Sequence, residues 1–153
     1  MADQAEDRLQ VLVLHGRQSN ANLASFQLTG FKSALGKDVD FHFLEGKTIW
    51  RYEPGVDLHD ADPMSVSLSK GSSFKVWFTY SSDEQRGRPD IFRQQDPNVN
   101  VFYKDAEAAA DELLERICKG SRIHAVVALF EGSIVVHLAV AKLMKEGLEV
   151  PWP

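Results

Sequence analysis

A single cysteine, Cys118, leaves this 153-residue chain without an internal disulfide, so nothing in it points to an oxidising compartment. Long apolar runs are missing too: none approaches the roughly 20 residues of a bilayer span. Met1 to Arg8 is polar and lacks the charged-then-apolar order of a secretory signal. Basic residues are outnumbered, 17 Lys and Arg against 22 Asp and Glu, for a net charge of −5. That balance argues against a nucleic-acid or anionic-membrane partner. Neither G-x-G-x-x-G nor G-x-x-x-x-G-K-[ST] occurs, so a bound nucleotide has no support, and no cofactor is expected. A cytoplasmic protein of one domain is the expectation.

What is present is organised around Arg122 to Met144. Ile123 to Phe130 is a short apolar run with adjacent valines and no breaker, which predicts a buried strand. Glu131, Gly132 and Ser133 are small or polar enough for a tight turn, and Ile134 to Met144 then reads as a buried helix with Lys142 and Lys145 near its end.

From the start, Leu9 to Leu14 is nearly continuous in apolar residues, as a central parallel strand is, and ends at His15-Gly16. Arg17 to Asn22 is a polar loop in which Asn20 or Asn22 is suited to cap a helix. Leu23, Phe26, Leu28, Phe31 and Leu35 recur at roughly helical spacing, and Gly36 is a stop. Val39 to Leu44 alternates as a second strand, so a right-handed parallel crossover is expected. Residues 45–104 differ, holding Pro54, Pro63, Pro89 and Pro97, a Ser-rich patch, and the aromatics Trp50, Tyr52, Phe74, Trp77, Phe78 and Tyr80. Such a segment is expected to be a partly ordered, lid-like insertion. Asp105 to Cys118 returns to helix, with Asp105 as N-cap, Leu113, Leu114 and Ile117 on its apolar side, and Gly120 closing it. Val150-Pro151-Trp152 looks like the approach to one more strand, which the sequence given does not supply.

Several residues invite a chemical role and also have a plainer one. Ser133 falls three residues past Phe130, where a small residue permits close helix–sheet packing. Ser19 is suited to bind a ligand or, more plainly, to cap the following helix. His15 is expected to brace its loop, and His124 and His137 to be satisfied structural histidines. Asp57, His59, Asp60 and Asp62 form the one cluster with metal-ligating types, but their spacing matches no site and reads as an acidic turn; no metal is expected. Cys118 is expected to be a small buried apolar residue.

V-L-V-L-H-G at 11–16, the R-Q-S-N loop at 17–20, F-L-E-G at 43–46, Trp77-Phe78, D-E-L-L-E-R-I at 111–117 and A-L-F-E-G-S at 128–133 occur in an order and spacing that resembles the FSH family of small serine hydrolases, within the α/β-hydrolase superfamily. The resemblance implies a three-layer α/β fold with a mostly parallel sheet, here without its C-terminal strands. It further implies a Ser-Asp-His triad with the serine at a strand-to-helix elbow, G-x-S-x-G. Ala128, Leu129, Phe130, Glu131 and Gly132 stand against that pattern, so the serine position holds Phe130. The family's Asp and His would fall beyond residue 153. Backbone N–H groups of Gly16 or Arg17 and of Glu131 would form the oxyanion hole.

Three readings follow. The resemblance implies a carboxylic-ester hydrolase acting on short-chain acyl esters, expected to be inactive here because Phe130 has no oxygen to attack a carbonyl. The alternative is a non-catalytic module that binds a small acyl ligand or a protein, with a homodimer or partner chain pairing on an exposed edge at the Ile123 strand. The third is a piece of a longer gene product.

Overall fold

The computed structural model describes residues 8–50, 62–82, 101–119 and 122–152. Its centre is a three-stranded parallel sheet in the order β2-β1-β7, with β1 at Leu9–Leu14, β2 at Val39–Leu44 and β7 at Ala125–Ala128. β1 is the middle strand because its side chains are apolar on both faces. Leu12 and Leu14 enter one core, and Val11 and Val13 enter the other. All four are buried.

Helices cover the two faces. On the Val11–Val13 side, Ala24 and Leu28 of α1 (Ala21–Gln27) and its C-cap fill the space above Val39. On the Leu12–Leu14 side lie α4 (Ala106–Lys119), through Ala109, Ala110, Leu113 and Ile117, and α5 (Glu131–Lys145), through Val135 and Ala139. The expected three-layer α/β architecture with parallel crossovers is therefore present. β1 and β2 match their expected bounds residue for residue.

Elsewhere local chemistry shifted the elements. The single helix expected through Leu35 is two, α1 and α2 (Thr29–Leu35), broken at Leu28, whose ψ of 8° leaves helical geometry. α2 buries nothing, so Phe31 and Leu35 of the expected apolar stripe are exposed, as is Phe26 near the end of α1. Gly36, at φ 72°, ends α2 as expected. β7 is shorter than Ile123 to Phe130, although the backbone bonds His124 N–H to Gln10 O and Leu129 N–H to Leu14 O continue its pairing beyond both ends. Glu131, Gly132 and Ser133 are not a turn; they are the first turn of α5.

Between β2 and α4 the described residues form β3 (Thr48–Ile49), α3 (Pro63–Leu68), β4 (Lys75–Val76), β5 (Thr79–Ser82) and β6 (Val101–Lys104), paired antiparallel as β3-β4 and β5-β6. Trp77 and Phe78 belong to the same core as Leu12 and Leu14. Tyr52, Pro54, Pro89, Pro97 and Gly120 lie outside the described residues. Residues Leu148 to Trp152 form no strand: Pro151 cannot donate to a ladder, and Trp152 packs, half-buried, against the core that holds Leu12 and Leu14. Cys118 is exposed, not buried, because Ile117 carries the inward face of α4 and the next residue is turned about 100° away.

Candidate functional site

The C-terminal ends of β1 and β7 lie side by side, and the loops leaving them meet at Phe130. Phe130 is the N-cap of α5 and sits at φ 46°, ψ −111°. A bulky residue at positive φ is strained by about 1–3 kcal/mol and persists only where its surroundings impose it. Here the sharp reversal from β7 into α5 imposes it. The helix then runs back so close to β1 that a Cβ on Gly132 would stand 2.8 Å from both His15 O and Leu14 Cβ. No larger residue fits there.

The Phe130 side chain is 77% exposed and leans over the β1 loop. A Cβ on Gly16 would meet its ring carbon Cδ2 at 3.0 Å. Gly16 therefore lies under the ring. Ser133 turns along the helix and donates from Oγ to Phe130 O at 2.6 Å, a bond back to the carbonyl three residues earlier that directs its hydroxyl into the backbone.

Glu131, directly after the elbow, is buried and ties three segments together. Its carboxylate pairs with Arg17 at 3.1 Å and accepts the Trp77 backbone N–H at 3.1 Å. Burial pushes its carboxyl above the ordinary carboxylate range, opposed by the Trp77 N–H and by the Arg17 charge. Its place in the first turn of α5 also favours the negative form. The Arg17 guanidinium lies over the Trp50 ring, 4.8 Å from the centroid.

His15 braces the loop, as expected. Gly46 N–H donates to Nε2 at 3.0 Å, so that nitrogen is unprotonated and Nδ1–H donates to Gly16 O at 2.6 Å. The ring stacks on Trp77 at 4.8 Å, and Trp77 Nε1–H donates to His15 O at 2.8 Å. Burial lowers its pKa from the ordinary 6.5 and keeps it neutral. Glu45 completes the scaffold by accepting Ala21 N–H and Lys75 Nζ, each at 2.8 Å.

The remaining candidates lie apart. Asn20, not Ser19 or Asn22, caps α1, accepting Leu23 N–H at 3.0 Å. Ser19 pairs through its backbone with Lys75, while Asn22 reaches Ser69 O. His124 accepts Gln10 N–H through Nδ1 at the far end of the sheet. His137 is exposed on α5, its Nδ1–H donating to Ser133 O. Asp57, His59 and Asp60 lie outside the described residues; Asp62 caps α3, with Met64 and Ser65 N–H as its donors. Among the described residues no group of three metal-ligating side chains converges. Nor is any of their helices long and apolar enough to cross a membrane.

A strand, a one-residue reversal at positive φ and a helix held tight by glycine is the arrangement in which hydrolases present a nucleophile. A model of the family described as "Serine hydrolase (FSH1)" matches residues 5–151. The chain belongs to that serine hydrolase family. No curated protein and no solved structure matches it. In this serine hydrolase family member the elbow, the β1 loop and the helix N-terminus are assembled around Phe130. Arg17 and Glu131 are paired there, and Gly16 lies beside Phe130. The side-chain roles of Glu131, Glu45 and Trp77 were not foreseen; the one signal for Glu131 was an acidic residue in the position directly after the elbow.

Two cavities, of about 350 and 200 Å³, lie between α4 and β2 and beside Trp77. Neither is lined by Gly16, Arg17, Phe130 or Glu131.

Proposed function

We propose that this serine hydrolase family member, as the chain stands, binds a short-chain acyl ester without cleaving it. The observation that carries the reading is Phe130 at the elbow, φ 46° and ψ −111°, with its ring against Gly16. A phenyl group supplies neither an attacking oxygen nor a proton for a base to remove. No described histidine takes up the task of a base there. His15 has both ring nitrogens engaged, His137 is turned into its own helix, and His42 and His124 bind Gln10.

What the frame retains is polarity. The N–H of Glu131 belongs to the first turn of α5, where backbone donors have no intrahelical acceptor. With the loop N–H groups at Gly16 and Arg17 it would hold a carbonyl oxygen, as an oxyanion hole does. The Phe130 ring would lie along the alkyl portion. The reading calls for no cofactor, and a cytoplasmic location belongs to it, supported by the single cysteine. A second reading, protein binding, rests on β7, which is an edge strand of the sheet among the described residues and offers backbone groups to a homodimer or a partner chain.

Titrating the chain with p-nitrophenyl butyrate while recording amide resonances separates the outcomes. The proposal expects shifts at Gly16, Arg17 and Glu131 with the ester left intact. Release of nitrophenolate above the buffer rate, or shifts confined to other residues, would contradict it.

A further inference from the structure

α5 packs Val135, Ala139 and Leu143 inward, yet its outward face is also apolar. A helix hydrophobic on all sides is ordinarily covered on all sides. On the outward side Ile134 and Met144 are 42% and 70% exposed; Phe130, the N-cap whose ring leans over the β1 loop, and Leu148, just past the helix end, are 77% and 54% exposed. His137 and Ala141 complete the stripe. Lys145 is the charge on this side; Lys142 is turned to Asp111 at 2.5 Å.

The stripe has a symmetry. Within α5, residues 134, 137, 141 and 144 are spaced three, four and three apart, as in the seam of an antiparallel helix pair, and the spacing is the same from either end. We infer that this face of α5 pairs with the same face of a second copy of the chain, antiparallel about a two-fold axis level with Ala139. In that register His137 lies opposite Ala141 of the second copy, large against small, and Ile134 lies opposite Met144. An isologous contact requires this self-complementarity.

The four large apolar side chains, at about 200 Å² each when fully exposed, present on the order of 500 Å² per copy. That is within the range of about 300–600 Å² for the largest apolar patch on an ordinary monomer, a patch that is often functional. With His137, Ala141 and Lys145 it approaches the roughly 800 Å² per partner of a stable interface.

Sedimentation of the full chain should report a dimer. Ile134→Glu and Met144→Glu, both at exposed positions, should each weaken it at least about tenfold with the far-UV circular dichroism unchanged. The register is tested by cross-linking in a Cys118→Ser background. His137→Cys chains mixed with Ala141→Cys chains should form a disulfide that neither forms alone. A monomer throughout the micromolar range overturns the inference. So does a dimer that survives Met144→Glu, which would belong to another surface such as the β7 edge, or cross-linking in the unmixed chains.

Discussion

Arg17 and Glu131 are 114 residues apart in the chain and 3.1 Å apart in the fold. Their ion pair joins the loop after the first strand to the first turn of the helix after the last, and Glu131 also holds the Trp77 N–H. The elbow is thus fixed from two sides by one carboxylate. Glu131→Ala would leave the buried Trp77 N–H without that acceptor and Arg17 without that charge, costing about 2–4 kcal/mol in urea unfolding. Glu131→Gln retains an acceptor oxygen and should cost less. Equal costs would mean that the hydrogen bonds contribute little.

Strain at the elbow gives a prediction of opposite sign. Phe130 is mostly exposed, so removing its ring forfeits little burial, whereas its φ of 46° suits glycine. Phe130→Gly should stabilise the fold by about 0.5–1 kcal/mol after the added flexibility of the unfolded chain is counted. Phe130→Ala keeps the strain and should not stabilise. If glycine instead lowers the melting temperature, the packing of the ring on Gly16 outweighs the backbone term.

Gly132 distinguishes propensity from packing. In an open helix Gly→Ala gains up to about 1 kcal/mol. Here the added methyl would meet His15 O and Leu14 Cβ at 2.8 Å, neither of which can swing aside. Gly132→Ala should therefore destabilise, by about 1–3 kcal/mol, read from the shift in denaturation midpoint.

The pH dependence follows from two buried groups of opposite sign. His15 has a pKa lowered by burial, so the unfolded chain binds its proton first as the solution is acidified. Its contribution is complete above 6.5 and is lost progressively from there down to its depressed folded value. Glu131 has a raised pKa, again chiefly through burial. Its contribution is present below the ordinary carboxylate value of 4.5 and is lost as pH rises through the raised one. Urea midpoints measured below pH 6.5 should fall with acid more steeply in Glu131→Gln than in the parent chain, because the opposing group is gone. A shallower fall in the variant would contradict the assignment.

The sheet was legible because its strands carry their burial in their composition. Leu9–Leu14 is apolar on both faces and Val39–Leu44 alternates, and both occur at those bounds. The elbow was legible as a frame because Gly132 marks a close approach of helix to strand. The break at Leu28 was not, since Leu23, Phe26 and Phe31 keep helical spacing across it while the backbone turns. Cys118 was misplaced because a cysteine's burial depends on which way one helix turn faces, and the adjacent Ile117 already fills the inward position. The Glu131 clamp was beyond reach for a further reason: both of its partners come from other loops, one of them through a backbone N–H that has no signature in sequence.

Incubation with a fluorophosphonate probe tests the central claim most directly. The probe captures serines made nucleophilic by a neighbouring base, and the account places a phenylalanine where that serine would stand, with Ser133 directing its hydroxyl to Phe130 O. The expected result is an unmodified mass for the intact chain after prolonged exposure. A covalent adduct on any serine would show that an activated nucleophile exists, and the non-cleaving reading would have to be abandoned.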